Sequence, residues 1–471
     1  MPGIGARFKA APDGTNQPNC VSSIDHSYPR RRHKDCFIMS LHAEIAKATI
    51  ESVRSSLVRH MPPSPQRNYY LWGISNANPY RDDFIQMIGV NQLINLSTQM
   101  IGDIIEPADQ PTIAQYCGRI NAYFMYEIIS DNLANGLSAL CVFDDNAAMR
   151  RDVLHAFNHV MVTRLKGDHN NTAELMQPVE NLTKNISCFA QSMTPRKHQA
   201  CINAYLSQRP DITQQEIEYG VWPVLVANIE SCHELTEYMS HFQVGPLLTQ
   251  GGIDRYQGVT RTIQLDHGLP LNELVRMGTH TVSVVPVLAY FAGVLSEIIR
   301  VEPRLHAIIN DGTLADALNT SAVIVRLVND VGMLLTLSQH ERKSVFNSIQ
   351  QHFQQHASDI DAIDHLLMSV PDEYTMLTRL QKDLLHGEFN ICLHNLAYTN
   401  SVGEALVLLE NNVANLGELY YRSQTHLHDL LASIDRRMTS RTLSNLIAGF
   451  VRFHEMIYAE PYNSSIGEYV A

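Results

Sequence analysis

The stretch Ala317 to Leu337, ALNTSAVIVRLVNDVGMLLTL, decides how this chain is read. It has the apolar period of a helix, and it carries one adjacent amide–carboxylate pair, Asn329-Asp330. Polar groups on so greasy a helix are expensive unless a partner satisfies them, and a divalent cation is one such partner. The alternatives are a pair facing solvent or a buried, hydrogen-bonded pair. Arg326, about one turn before Asn329, shares its face and is expected either to hold a phosphate or to pair with an acid.

Around this stretch the chain reads as all-α. Helical periods run over Leu41–His60, Phe84–Ile105, Ile113–Val142, Ala147–Leu165, Gln214–Phe242 and Leu271–Glu302, the last with a kink expected at Pro286. They continue over Leu314–Leu337, Asp359–Leu367, Tyr374–Asn400, Gly403–Ser433 and Ser440–Tyr458. Alternation of strand type is scarce and no fixed-period repeat is visible. Asn400 or Ser401 is placed to cap the helix that follows, with Glu404 in its first turn. Residues 1–38 read as a flexible tail, 39–462 as one large helical domain and 463–471 as a second tail. Residues 166–215 are expected to be an insertion that begins with a polar linker.

The 471 residues are 45% hydrophobic and 18% charged, with a formal net charge of −13. That balance argues against general nucleic-acid binding, and Arg30-Arg31-Arg32-His33-Lys34 is the one basic run. Eight cysteines are scattered without a CxxC pair or zinc spacing. A reducing, cytoplasmic setting is the expectation, with no signal peptide and no transmembrane segment.

The final third resembles the class I terpene synthase family. In that family a helix carries the metal motif N-D-x-x-S/T-x-x-x-E. Asn329 and Asp330 match its first two positions, whereas Met333 and Leu337 stand at the third and fourth and remove two ligands. Upstream, Pro270-Leu271-Asn272-Glu273-Leu274 with Gly278, Thr281 and Ser283 resembles the family's P-x-x-E-Y segment. The family's diphosphate-sensing arginine aligns with Gly278, and Arg276 lies about 200° away around a helix. Downstream, Asn400-Ser401-Val402-Gly403-Glu404-Ala405 and Leu446–Tyr458 resemble the late core helices, although Glu460-Pro461-Tyr462 replaces the usual Arg-Tyr end. The aspartate-rich motif has two candidates, Asp131 at a helix end and the pair Asp144-Asp145, which is equally suited to cap the helix from Ala147.

The resemblance implies a helical bundle around a central cavity. It further implies Mg2+ or Mn2+ on Asp131 or Asp144 and Asp145 from one side and on Asn329 and Asp330 from the other. The expected reaction is ionisation and cyclisation of a prenyl diphosphate of sesqui- or diterpene size, with diphosphate release. Arg276 and Arg326 would meet the substrate's phosphates. Phe124, Tyr126, Tyr290 and Phe291 would wall the cavity and stabilise a carbocation. A homodimer is expected. Two other readings stand beside this one. The first is a non-catalytic relative, favoured by the lost ligands. The second is a di-iron or other redox site built on Glu230 and His233, with His155, His159, Glu234, Glu237 and His241 nearby.

Overall fold

A computed structural model describes residues 28–141, 146–189, 195–356, 360–371 and 375–459. Several of its helices start where side-chain acceptors meet the free N–H groups of a first turn. Ser401 accepts from the Glu404 amide at 3.2 Å, and the Asn400 amide donates to Glu404 at 2.9 Å. Thr213 with Glu216, and Ser338 with Glu341, form complete capping boxes.

In chain order the helices are α1 (Tyr28–His60), α2 (Pro65–Gly73), α3 (Arg81–Met87), α4 (Val90–Ile101), α5 (Gln110–Asp131), α6 (Ala147–Leu165), α7 (Thr172–Met176), α8 (Pro195–Leu206), α9 (Gln214–Glu218) and α10 (Trp222–Met239). They continue as α11 (Gly245–Ile263), α12 (Leu271–Thr281), α13 (Val284–Gly293), α14 (Leu305–Asn310), α15 (Thr313–Val331), α16 (Gln339–Gln355), α17 (Ile363–Ser369), α18 (Thr378–His386), α19 (Val402–Arg437) and α20 (Thr442–Ala459). The fold is all-α. Among the described residues there is no strand, only an isolated antiparallel bridge between Ser187 and Tyr219.

Helix α15 is central, packed against α12, α13, α19 and α20. Leu314, Leu318, Ala322, Val325, Leu327, Val328 and Val331 are all buried. A helix this apolar is stable only when other helices cover most of it. Thr313–Leu335 has the length and apolarity of a membrane span, and 78% of its most apolar window is buried by the rest of the fold. In the first half α1 lies along α5, and α10 packs on α5. Helix α11 joins the halves by touching α6, α12 and α13.

The structure redraws several expected boundaries. Helix α1 is helical from Tyr28, so the division at residue 38 falls inside it. Phe84–Ile105 divides into α3 and α4, and Gln214–Phe242 into α9 and α10. Residues 172–185, expected as linker, form α7 and a 3-10 turn. The kink near Pro286 falls earlier, between Thr281 and Val284, with a 45° bend. A proline frees the carbonyl four residues before it, here Val282, so the helix parts one turn upstream of the ring. Helix α15 stops at Val331 instead of Leu337, because Gly332 takes φ +61.

Candidate functional site

The acids of the two halves meet at one end of the bundle, where α5 and α15 terminate. On α5, Glu127 and Asp131 stand one turn apart on one face. Glu127 is buried. The Arg255 guanidinium of α11 donates to it through Nε at 2.7 Å and also through Nη2, and Tyr256 Oη and Asn228 Nδ2 donate to its other oxygen at 2.8 and 3.0 Å. Burial pushes this carboxyl up, but Arg255 and these hydrogen bonds more than offset it and hold it below the usual range. Arg255 Nη2 also reaches Asp131 at 3.4 Å. Asp131 is exposed, with solvent reaching 69% of its side chain, while the charges of Arg255, Glu127, Glu388 and Lys382 act on it.

On α15, Asp330 is 0% exposed. Arg326 donates to its Oδ2 through Nε at 3.0 Å and Nη2 at 2.8 Å, and the Ile391 amide adds a third bond at 2.8 Å. Asn329 Nδ2 faces Oδ1 at 3.3 Å. Burial pushes the Asp330 carboxyl up, and Arg326 and the Ile391 amide pull against it. Thr281, at the α12–α13 break, links the two sets: its carbonyl accepts from Arg255 and its hydroxyl accepts from Arg326 Nη1 at 2.9 Å.

Residues 378–391 complete the cluster. Arg379 donates to the Asn329 carbonyl at 2.8 Å and to its side-chain oxygen at 2.6 Å. Asn390 bridges the Asp330 carbonyl and the Asp383 carboxylate at 2.8 and 2.7 Å. Lys382 pairs with Glu388 at 2.7 Å and lies 3.6 Å from Asp383.

Magnesium requires several oxygen ligands at octahedral geometry. This site does not fit that demand as arranged. The motif spacing places ligands on one face only if the helix continues, and α15 ends before Met333 and Leu337. Both residues lack an oxygen donor in any case. The Oδ2 of Asp330 already accepts three hydrogen bonds, two from a guanidinium that supplies the positive charge a metal would bring. Among the described residues, no group of three or more His, Cys, Asp or Glu side chains is arranged to hold a metal ion.

The other expected residues are dispersed. Asp144 and Asp145 lie outside the described residues. Arg276 is exposed, whereas Leu274, Val275, Met277 and Gly278 on the same helix are buried. A Cβ at position 278 would stand 2.6 Å from Ile391 Cγ2 and 3.3 Å from Arg326 Nε, so a side chain there would collide with the Arg326 cluster. Tyr290 is a core residue whose hydroxyl donates to the Tyr116 carbonyl at 2.9 Å. Phe291 packs edge-on against Tyr290, with ring centroids 5.3 Å apart. Tyr126 is buried with its hydroxyl beside Ser56, and Phe124 is half-buried against Tyr123.

Glu230 accepts from Thr172 and from Arg164 at 3.3 Å, and Glu234 pairs with Arg59 at 2.5 Å and His60 at 2.6 Å. His233 faces His169, with ring centroids 6.5 Å apart, and His155, His159, Glu237 and His241 are exposed.

Two hollows bear on ligand size. One beside the cluster, lined by residues including Leu140, Leu384, Glu388, Phe389 and Asn390, has a volume of about 10 Å³. That is room for roughly one water centre, whereas ligand pockets run to about 300–1,000 Å³. The other, about 480 Å³, is an open trough on the outer face of α19 lined by Glu418, Tyr421, Arg422, Thr425, His426 and Asp429.

Glu127, Arg255, Arg379, Lys382, Asp383, Glu388 and Asn390 were not singled out by sequence reasoning. For Glu127 a signal existed, since it lies four residues before Asp131. Arg255 sits mid-helix with nothing local to mark it. Comparison with family models, with curated proteins and with solved structures finds no match for this chain.

Proposed function

We propose that the chain is a terpene synthase-like helical protein that does not ionise prenyl diphosphates, its metal ligands having been replaced by internal arginine–carboxylate pairs. One observation carries this reading: Asp330, the aspartate of the family-like motif, is fully buried and engaged by Arg326 and the Ile391 amide. Met333 and Leu337, which offer no oxygen, point the same way. Among the described residues Cys117, Cys188, Cys201, Cys232 and Cys392 are free thiols, in keeping with a cytoplasmic setting.

The competing proposal is an Mg2+-dependent cyclase. The linkage of Asp131 to Asp330 through Arg255, Thr281 and Arg326, with Asp131 open to solvent, favours it. The test is incubation of the full chain with geranyl, farnesyl and geranylgeranyl diphosphates and Mg2+ or Mn2+. Extractable hydrocarbons are read by mass spectrometry and released diphosphate by a coupled assay. No product and no diphosphate above a buffer blank is expected. A terpene product that disappears in Asp330→Asn would replace this reading with the catalytic one.

A further inference from the structure

We propose that residues 378–391 form a strap that gates the end of the bundle where α5 and α15 terminate, opening as a unit without unfolding the helices beneath. This rests on reading that end as the site. The strap is stapled at both sides. Towards α5, the Gly136 amide donates to the His386 carbonyl at 2.8 Å and the Ser138 amide to the Gly387 carbonyl at 3.0 Å. Towards α15, Arg379 holds Asn329, Asn390 holds the Asp330 carbonyl, and the Ile391 amide holds the Asp330 carboxylate. Arg326 Nη2 adds a bond to the Phe389 carbonyl at 2.7 Å. The strap thus spans from one acid set to the other.

Its attachment differs from that of its surroundings. Leu380 is buried and Leu384 and Phe389 are partly buried against the core, but Leu385 is 72% exposed, so polar contacts carry much of the crossing between Leu380 and Ile391. By contrast, Ile391, Cys392 and Leu393, where the strap re-enters the core, are buried, as is α15. Segments with few buried apolar contacts open at lower free energy than the core around them. The Asp383 Oδ1 atom is buried without a hydrogen-bond partner, with Lys382 Nζ 3.6 Å away, so the closed strap leaves one acceptor unmet. Closure also depends on a backbone crossing. Gly387 has φ +60, and a Cβ there would stand 2.6 Å from Gly136 Cα.

Native-state hydrogen exchange on the full chain tests this. Amides of 384–391, together with Gly136 and Ser138, are expected to exchange as one group, about tenfold or more faster than hydrogen-bonded amides of 321–330. Gly387→Ala is expected to speed that group by a further tenfold or so and leave α15 and α19 unchanged. Strap amides that exchange only with global unfolding would overturn the proposal. So would a Gly387→Ala variant that accelerates every helix equally. If that variant does not fold, the wild-type measurement decides alone. Turnover of a prenyl diphosphate by the wild type would overturn the proposed function and leave the strap standing. Global-only exchange would do the reverse.

Discussion

At the scale of single residues, Arg255 and Arg326 govern this protein's interior. Each is a buried guanidinium facing a buried carboxylate, and each is completed by an atom of Thr281. Buried ion pairs add modest net stability, because desolvation of both charges offsets their attraction. Removing one partner is different, since the other is then left charged and unpaired. Arg255→Ala is expected to lower unfolding free energy by about 3–5 kcal/mol. Adding Glu127→Gln should recover part of that loss, a coupling readable in a double-mutant cycle by urea denaturation. Costs that simply add would show that the pair does not interact. These roles were hard to read from sequence for a physical reason. A carboxylate on an apolar helix demands a cation, but nothing in local sequence says whether the cation is a metal or an arginine from a distant helix. Arg326, four residues before Asp330, was the legible half. Arg255, over a hundred residues from Glu127, was not.

At the scale of helices, boundaries were legible where caps write them and illegible where glycine geometry does. Helix α6 spans Ala147–Leu165 as its apolar period implies, and α19 starts at Ser401's cap. The end of α15 was missed. Apolar residues continue past it, so periodicity gives no sign of a stop, and only the positive φ of Gly332 turns the chain. That turn takes positions 333 and 337 off the face of Asn329, which matters more to the site than the two substitutions alone. A Cβ at 332 would stand 2.6 Å from Arg379 Cγ and 3.0 Å from the Tyr458 carbonyl. Gly332→Ala should therefore cost about 1–3 kcal/mol in a thermal or urea melt. A neutral result would mean that α15 extends into this turn at little cost.

At the scale of the whole molecule, the all-α class followed from helical periodicity, while the arrangement that unites its halves did not, because it is made of contacts remote in sequence. Two partly buried imidazoles give the molecule a definite response to acid. Burial pushes both His198 and His454 down to about 4 from an ordinary 6.5, and for His454 a bond to the Phe450 carbonyl only partly counters it. Between those values the unfolded chain binds protons that the folded chain refuses, so stability falls as pH drops from 6.5 towards 4 and this contribution levels off below. Each group is worth about 3 kcal/mol at most across the window. Urea midpoints between pH 7.5 and 4 should decline accordingly, and His454→Gln should flatten part of the slope. An unchanged slope would mean that His454 takes a proton in the folded state. Helix α15 carries one more consequence, for biosynthesis. Its coverings, α19 and α20, leave the ribosome after it. At about 5–20 residues per second the wait lasts several seconds or more, during which a nascent segment with a membrane span's composition has α12 and α13 but not its later coverings. Chaperones and the insertion machinery would compete for the newborn chain in that interval, and its C-terminal helices end the contest by arriving.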